Sequence, residues 1–389
     1  MKVSIESFSI ILITVMFLVF KSWDVVFILS FIPLLAFFRH FKLVLKRNDL
    51  IYIAICLIFF NTAMIHYDIK EFIRNGFIFI FALYFYFEAK YFSFRDIERV
   101  TKAIICVLVL YVAVLIIYNF YEYNQILAHQ RRYVLHEFVI FGEPYPETYG
   151  VTNLVLYINL ITALCVILYI KSDSYFYLLL ALITNISIVI TQGKSQALFL
   201  LLIIVIVILK MTYSLNRLNR IIVMTTFIVV SSTCIFVSVK SGVFTNTDVR
   251  AIRYDTSSLG RLYYNALGIE HLMQKPFGNY LLYTDNRFAL NKLDPRKSEN
   301  RNYHNTFLEL FNRFGVQFGI YLGVILLFFF SMFFSLSSYN NKLISAVLFL
   351  FIFQNFNIES VFTEKVILFS FFFMTGLLFK QYELNRRGL

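Results

Sequence analysis

Apolar runs of nearly membrane-spanning length recur along this chain. A helix needs roughly 20 apolar residues to cross a hydrocarbon core about 30 Å thick. We count about twelve runs that approach this length, several of them shorter than ideal. They lie at residues 7–20, 23–38, 50–65, 72–87, 103–120, 151–170, 175–190, 197–209, 221–239, 316–334, 343–356 and 366–379. The pattern predicts an all-α, polytopic membrane protein with about 12 transmembrane helices.

The composition excludes an ordinary soluble protein. Of the 389 residues, 59% are hydrophobic and only 15% are charged, whereas soluble domains carry about 25% charged residues. The length alone would allow about two or three soluble domains. We instead predict one integral membrane domain over residues 1–389, with no internal repeat of fixed period.

Lys and Arg residues in the short loops predict the orientation, because such loops keep their positive charge on the cytoplasmic side. A cytoplasmic N-terminus places most of these residues in the cytoplasm, in segments 39–47, 90–102, 210–220 and 380–389. The short loops on the other side hold far fewer, such as Lys21 and Lys70. Both termini are therefore expected in the cytoplasm. The first run lacks a small-residue cleavage site and is expected to remain as a signal anchor.

Two segments on the external side exceed turn length. Residues 121–150 are aromatic and acidic, and their prolines resist a continuous helix, so a packed loop or lid is expected. Residues 240–304 form the larger loop, with a helix-compatible stretch at 259–274 and a turn at 275–278. Its part from 240 to 302 carries ten Lys and Arg residues. Long loops translocate largely regardless of charge, so topology does not explain this basicity.

The basic balance indicates an anionic partner. A net charge of +12 is compatible with nucleic acid, but the richest basic segment is expected outside the cytoplasm. Anionic lipid or pyrophosphate is the better prediction. The four cysteines, Cys56, Cys106, Cys165 and Cys234, all fall inside predicted spans. They lack metal-ligand spacing, and we expect them to pack as free thiols rather than to form disulfides.

A polar segment, Thr-Gln-Gly-Lys-Ser at residues 191–195, separates two apolar runs. It is similar to part of a nucleotide-binding loop, but the earlier glycine that such a loop requires would fall at Ile188. That interpretation fails. Lys194 so close to hydrocarbon either extends its side chain to the interface or contacts an anion.

Two further groups in the large loop have side chains suited to chemistry on a phosphate. Arg261, with Arg250 and Arg253 upstream, can present bidentate donors to phosphate oxygens; the alternative is a solvated basic loop attracted to headgroups. His304 and Asn305 end the loop just before the next span. An imidazole titrates near neutral pH and suits proton transfer, although a histidine at a helix start is often structural.

These residues belong to four motifs that occur in a characteristic order. They are Thr-Gln-Gly-Lys-Ser-Gln-Ala at 191–197, Ser-Leu-Gly-Arg at 258–261, Lys-Pro-Phe-Gly at 275–278 and His-Asn-Thr-Phe-Leu-Glu at 304–309. The combination resembles the bacterial O-antigen ligase and polymerase superfamily, mainly over residues 185–330. Members are multi-span proteins with one large periplasmic loop. Their first motif usually reads Ser-Arg where this chain has Gly193 and Lys194, and lysine lacks the bidentate fork of arginine.

The resemblance implies glycosyl transfer on the extracytoplasmic face of the bacterial inner membrane, from an undecaprenyl-pyrophosphate-linked glycan. His304 matches the family's histidine and would be the general base. The cations that would hold the leaving pyrophosphate are Lys194, Arg261, Arg250 and Arg253, and spacing does not decide between the last two. Supporting candidates are Asn305, Arg301 and Ser258; Arg301 has no family counterpart. No metal or cofactor is implied.

The acceptor separates two activities within this family. Transfer to another lipid-linked repeat unit is polymerisation, and transfer to lipid A core is ligation. The aromatic-rich N-terminal half favours a polymerase for O-antigen or capsule, which would have membrane lipid and a chain-length regulator as partners and no nucleic acid. A flippase for the same lipid-linked sugar is the more distant alternative. Should His304 lie far from any cavity, the alternative bases are Glu137, Glu143 and Glu147.

Overall fold

The structure is a computed structural model, and all regular secondary structure in the part of the chain that it describes is helical, with no strand there. The described residues are 5–19, 49–50, 53, 80–90, 94–118, 151–186, 194–213, 215–216, 218–219, 221–223, 225–226, 229, 269–270, 272–274, 276–277, 308, 311, 333, 336, 338–358, 370, 372–377, 379–380 and 383. The all-α prediction is confirmed over these residues.

Six helices have defined bounds. They are α1 (Ile5–Val19), α2 (Phe94–Tyr118), α3 (Val151–Ser172), α4 (Tyr175–Asn185), α5 (Lys194–Met211) and α6 (Tyr339–Ile358). Residues 80–90 and 372–377 are also helical. Each of the six corresponds to a predicted apolar run, but the count of about 12 transmembrane helices extends to residues outside the described part and stays a prediction.

The third helix, α3, is the centre of the bundle. It packs against α2, α4, α5 and α6, and every residue from 154 to 170 is buried. A helix that is apolar on all sides has no face to present to water, so its stable place is inside a bundle. The helix α1 packs against α2 at the edge.

Among the described residues, two helices are long and apolar enough to cross a membrane, at Ile97–Ile117 within α2 and Leu154–Ser172 within α3. Their surroundings differ. On α2, Leu110 and Ile117 expose 66% and 72% of their surface, and they lie on one face at helical spacing. Exposed apolar stripes of this kind are unfavourable in water and fit a lipid environment.

A tight connection joins α3 to α4. Asp173 has a φ of 54°, in the left-handed region that aspartate tolerates better than most residues, and its N–H donates to the carbonyl of Tyr169 at 2.8 Å. The chain therefore reverses within two residues. The helices α3 and α4 form a hairpin whose closed end lies at Asp173.

The structure corrects one predicted loop. The segment 90–102 was expected to connect two spans, but the described residues 80–90, Lys90 included, are helical, and α2 spans Phe94–Tyr118. An ion pair of 2.6 Å between Lys102 and Glu98, one turn apart, supports the added helix. The basic residues of this segment therefore lie on helix ends rather than in a free loop.

Candidate functional site

Most of the predicted site lies outside the described residues. This applies to the expected base and to all of the loop cations. The residues concerned are His304, Asn305, Arg250, Arg253, Ser258, Arg261 and Arg301, together with the alternative bases Glu137, Glu143 and Glu147. We predict that His304, Arg261 and Lys194 line one external cavity, and this stays a prediction.

Lys194 is placed by its backbone, as the first residue of α5. The helix continues to Met211, and Lys210 near its other end contacts two neighbouring segments. The ammonium of Lys210 lies 3.0 Å from a carboxylate oxygen of Asp173 and donates to the side-chain oxygen of Asn340 at 3.1 Å. A helix rises about 1.5 Å per residue, so the backbones of Lys194 and Lys210 are about 24 Å apart along α5.

Aromatic contacts reinforce the same end of α5. The hydroxyl of Tyr339 donates to the carbonyl of Leu209 at 3.1 Å, and the Tyr339 and Tyr213 rings stack with centroids 4.0 Å apart. The closed end of the α3–α4 hairpin, the last turn of α5 and the first turn of α6 thus meet at one end of the bundle. The predicted orientation places these segments together on the cytoplasmic side.

The motif at 191–197 is anchored in the bundle by Gln196. This side chain is fully buried, and its amide nitrogen donates to the side-chain oxygen of Asn185 at 3.2 Å. The amide nitrogen of Asn185 in turn donates to the hydroxyl of Thr162 at 2.7 Å. One polar connection therefore joins the first turn of α5 to the end of α4 and the middle of α3. We call Thr162, Asn185 and Gln196 the amide network.

The amide network lies deep in the bundle. Thr162 precedes Asp173 by eleven residues and Asn185 follows Ser174 by eleven residues, which corresponds to about 17 Å of helix on each arm of the hairpin. In the predicted orientation, with Asp173 at the cytoplasmic edge of a hydrocarbon core about 30 Å thick, this depth is just past the middle. Polar side chains there are costly and usually have a functional reason.

A second polar group joins three segments that are distant in sequence. The ammonium of Lys90 contacts the carboxylate of Asp49 and lies 2.8 Å from a carboxylate oxygen of Glu383. The hydroxyl of Tyr86 donates to the same Asp49 carboxylate at 2.9 Å. We call these four residues the charged cluster. The predicted orientation places all three segments at the cytoplasmic ends of their spans.

The charged cluster was not found from the sequence. Lys90 was assigned to a basic loop, and Asp49 and Glu383 were not singled out. The available signal was weak: each acid lies at the edge of an apolar run beside several basic residues. The pairing itself depends on tertiary packing, since 41 residues separate Asp49 from Lys90.

Part of the large loop agrees with its predicted structure. Residues 269–270 and 272–274 are helical, and the Gln274 amide donates to the Glu270 carboxylate at 3.3 Å. Pro276 and Phe277 form a turn. The helix-compatible stretch 259–274 is thus helical, and the turn predicted at 275–278 is confirmed, where residues are described. Cys165 is a buried free thiol, as expected, whereas the free thiol of Cys106 is exposed. Cys56 and Cys234 lie outside the described residues.

Comparison with known proteins finds no matching family model, no matching curated protein and no matching solved structure.

Proposed function

We propose that this chain is a membrane glycosyltransferase that polymerises O-antigen or capsular repeat units on the extracytoplasmic face. The donor is an undecaprenyl-pyrophosphate-linked glycan, and the acceptor is a second lipid-linked repeat unit. The observation that carries the proposal is the order of the four motifs, from Lys194 through Arg261 to His304, together with the ten basic residues of the large loop. Each motif alone is a weak signal.

The position of the first motif supports the same proposal. Gln196 is buried and hydrogen-bonded to Asn185, which fixes the start of α5 in the bundle. Near the other end of α5, Lys210 forms an ion pair with Asp173. With Lys210 on the cytoplasmic side, as the short-loop charges predict, Lys194 lies toward the face where a lipid-linked glycan would be presented.

The proposed reaction is a displacement at the anomeric carbon of the donor sugar. The acceptor hydroxyl oxygen forms a bond to this carbon as the bond to the pyrophosphate oxygen breaks. The imidazole of His304 takes the hydroxyl proton. Negative charge develops on the leaving pyrophosphate, where Lys194, Arg261 and an upstream arginine stabilise it. The products are a glycan longer by one unit or more and undecaprenyl pyrophosphate.

The experiment that tests this proposal is the banding pattern of surface polysaccharide in a strain lacking the protein, complemented with variants. We expect His304→Ala and Arg261→Ala to abolish long chains while single repeat units are still attached to lipid A core. His40→Ala is the matched control, because that histidine is predicted in a cytoplasmic loop; it should restore the wild-type pattern.

Other patterns identify the alternatives. Loss of all attachment, with polymer accumulating on its polyprenyl carrier, would identify a ligase to lipid A core. Accumulation of single repeat units on the cytoplasmic face would identify a flippase. Unchanged chain length and attachment with both variants, at normal expression, would exclude all the enzyme hypotheses built on His304 and Arg261.

A further inference from the structure

The amide network joins α3, α4 and α5 by hydrogen bonds inside the bundle. We propose that Thr162, Asn185 and Gln196 are positioning residues, which fix the first turn of α5 and thereby hold Lys194 where the leaving pyrophosphate needs a cation. This inference rests on the proposed function in one respect, the anion contact of Lys194. The positioning itself is a structural statement and can be tested separately.

The first step concerns where α5 begins. The first four N–H groups of a helix have no partner within the helix, so the first turn is its least constrained part. Lys194 is the first residue of α5, and Gln196 is two residues later in the same turn. A buried hydrogen bond from Gln196 to another helix therefore restrains the segment that carries Lys194.

The second step concerns the direction of the hydrogen bonds. The amide nitrogen of Asn185 donates both to the Thr162 hydroxyl and to the carbonyl of Ala181, at 2.7 Å and 2.8 Å. The Thr162 hydroxyl donates its own hydrogen to the carbonyl of Ile158 at 2.8 Å. Thr162 can then only accept from Asn185, because a hydroxyl has one hydrogen.

This fixes the amide orientation of Asn185. Its nitrogen faces two acceptors, so its oxygen is left to accept from Gln196 at 3.2 Å. Rotating the amide by half a turn would place its oxygen against Ala181's carbonyl oxygen. The network thus runs in one direction, from Gln196 through Asn185 to Thr162, and it ends on the backbone of the central helix α3. These bonds form together when α5 has one axial position relative to α3 and α4 and one rotation about its own axis.

The third step concerns the alternative that these residues only stabilise packing. Apolar contacts already hold α5 in the bundle: Phe199 is fully buried, and its ring meets that of Phe351 on α6 with centroids 6.5 Å apart. Leucine or isoleucine at position 196 would pack without hydrogen-bond partners. Buried polar groups instead specify how neighbouring helices align along their axes. Here they align the turn that begins with Lys194 against α3 and α4.

The structural test measures the mobility of residue 194 directly. In a background with the four native cysteines replaced, Lys194→Cys carries a spin label, and the protein is studied in lipid nanodiscs by electron paramagnetic resonance. We expect Thr162→Val, Asn185→Leu and Gln196→Leu each to narrow the spectral lines of the label at residue 194. Thr162→Val is isosteric, so the fold should be retained and is checked by size exclusion.

Thr14→Val is the matched control. The Thr14 hydroxyl is also buried and also donates to the carbonyl four residues earlier, at 2.8 Å, but it lies in α1, far from α5 in the sequence. This variant should leave the spectrum unchanged. Thr162→Ser keeps the hydroxyl and should restore the wild-type spectrum, which a general loss of packing would not explain.

The functional test uses the same network variants with Lys194 intact. Single hydrogen bonds between membrane helices correspond to about a threefold to tenfold effect, so the polymerisation rate in proteoliposomes should fall by about that factor for Thr162→Val and recover for Thr162→Ser.

Three results separate the positioning of residue 194 from its effect on polymerisation. An unchanged label spectrum in all network variants would overturn the positioning role. A more mobile label with an unchanged polymerisation rate would overturn its link to activity. If Lys194→Met and His304→Ala are themselves fully active, the proposed function fails, and the spectra still decide whether the network positions residue 194.

Discussion

The ammonium of Lys90 is buried against the carboxylate of Asp49, a residue that lies 41 positions earlier in the chain. The side chains of Lys90 and Asp49 expose 2% and 0% of their surface. In the rest of the charged cluster, Glu383 contacts the Lys90 ammonium and the Tyr86 hydroxyl donates to Asp49. Both carboxylates contact the same ammonium, so its removal takes away a counter-charge that they share. The cluster ties the segments at 49, 80–90 and 383 together.

We predict that Lys90→Met strongly destabilises the protein. Removing one partner of a buried ion pair leaves an uncompensated charge and costs about 3–5 kcal/mol. Here the Asp49 carboxylate would keep its bond from Tyr86 but lose the ammonium of Lys90. The measurement is thermal unfolding in detergent, followed by the loss of helical signal.

Lys102→Met is the control for this prediction. Lys102 pairs with Glu98 within α2, and both side chains are nearly half exposed. An exposed pair one turn apart contributes about 0.5 kcal/mol or less. The double variant Asp49→Asn, Lys90→Met should recover part of the loss, since it removes both charges. Equal effects of Lys90→Met and Lys102→Met would contradict a stabilising role for the charged cluster.

Gly376 marks a close approach between two helical segments. A Cβ at this position would collide with the carbonyl oxygen of Tyr86 and lie 3.0 Å from the Cβ of Ala89. The obstacle at Tyr86 is backbone, which cannot rotate away. Gly376→Ala is therefore expected to lower stability by about 1–3 kcal/mol, the usual cost of overpacking.

The companion variant identifies which contact causes this loss. Adding Ala89→Gly to Gly376→Ala removes the side-chain contact but leaves the Tyr86 carbonyl in place, so little stability should return. Substantial recovery in thermal unfolding would show that Ala89, not the backbone, sets the helix separation.

The orientation of α5 predicts opposite accessibility of its two ends. In a cysteine-free background, Lys194→Cys should react with a membrane-impermeant maleimide applied to spheroplasts. Met211→Cys should react only after permeabilisation; Met211 is 50% exposed, so burial alone would not protect it. The reverse pattern would place the 191–197 motif in the cytoplasm and contradict an extracytoplasmic reaction.

The sequence predicted the apolar helices well and the polar contacts between them poorly. The run at 151–170 matches α3, which spans Val151–Ser172, because length and hydropathy are local properties. The bond between Asn185 and Thr162 joins residues 23 positions apart. It depends on how α4 folds back on α3, and this is a tertiary property that periodicity does not encode.

The candidate site shows the same division. Lys194 was singled out because a cation beside hydrocarbon is unusual, and this reasoning is local. Gln196 belongs to the same motif, yet its burial and its bond to Asn185 follow only from the packing of three helices. Sequence motifs therefore located the segment, and the structure supplied the residues that hold it.

Lys194 provides the sharpest test of the chemistry at this segment, because charge and geometry can be varied separately. The family that this chain resembles usually has arginine at this position. A role in binding the leaving pyrophosphate predicts that Lys194→Arg keeps polymerisation, and that the neutral Lys194→Met lowers it by about 10²–10³, the cost of losing one donor that stabilises a developing anion. The measurement is the rate of chain growth in proteoliposomes with purified lipid-linked repeat units.

Lys210→Met is the control: it removes a cation from the other end of α5 and should affect stability through Asp173 rather than chain growth. If Lys194→Met is as active as Lys194→Arg, the cation at this position only extends to the interface, and the pyrophosphate contact must be sought among the arginines of the large loop.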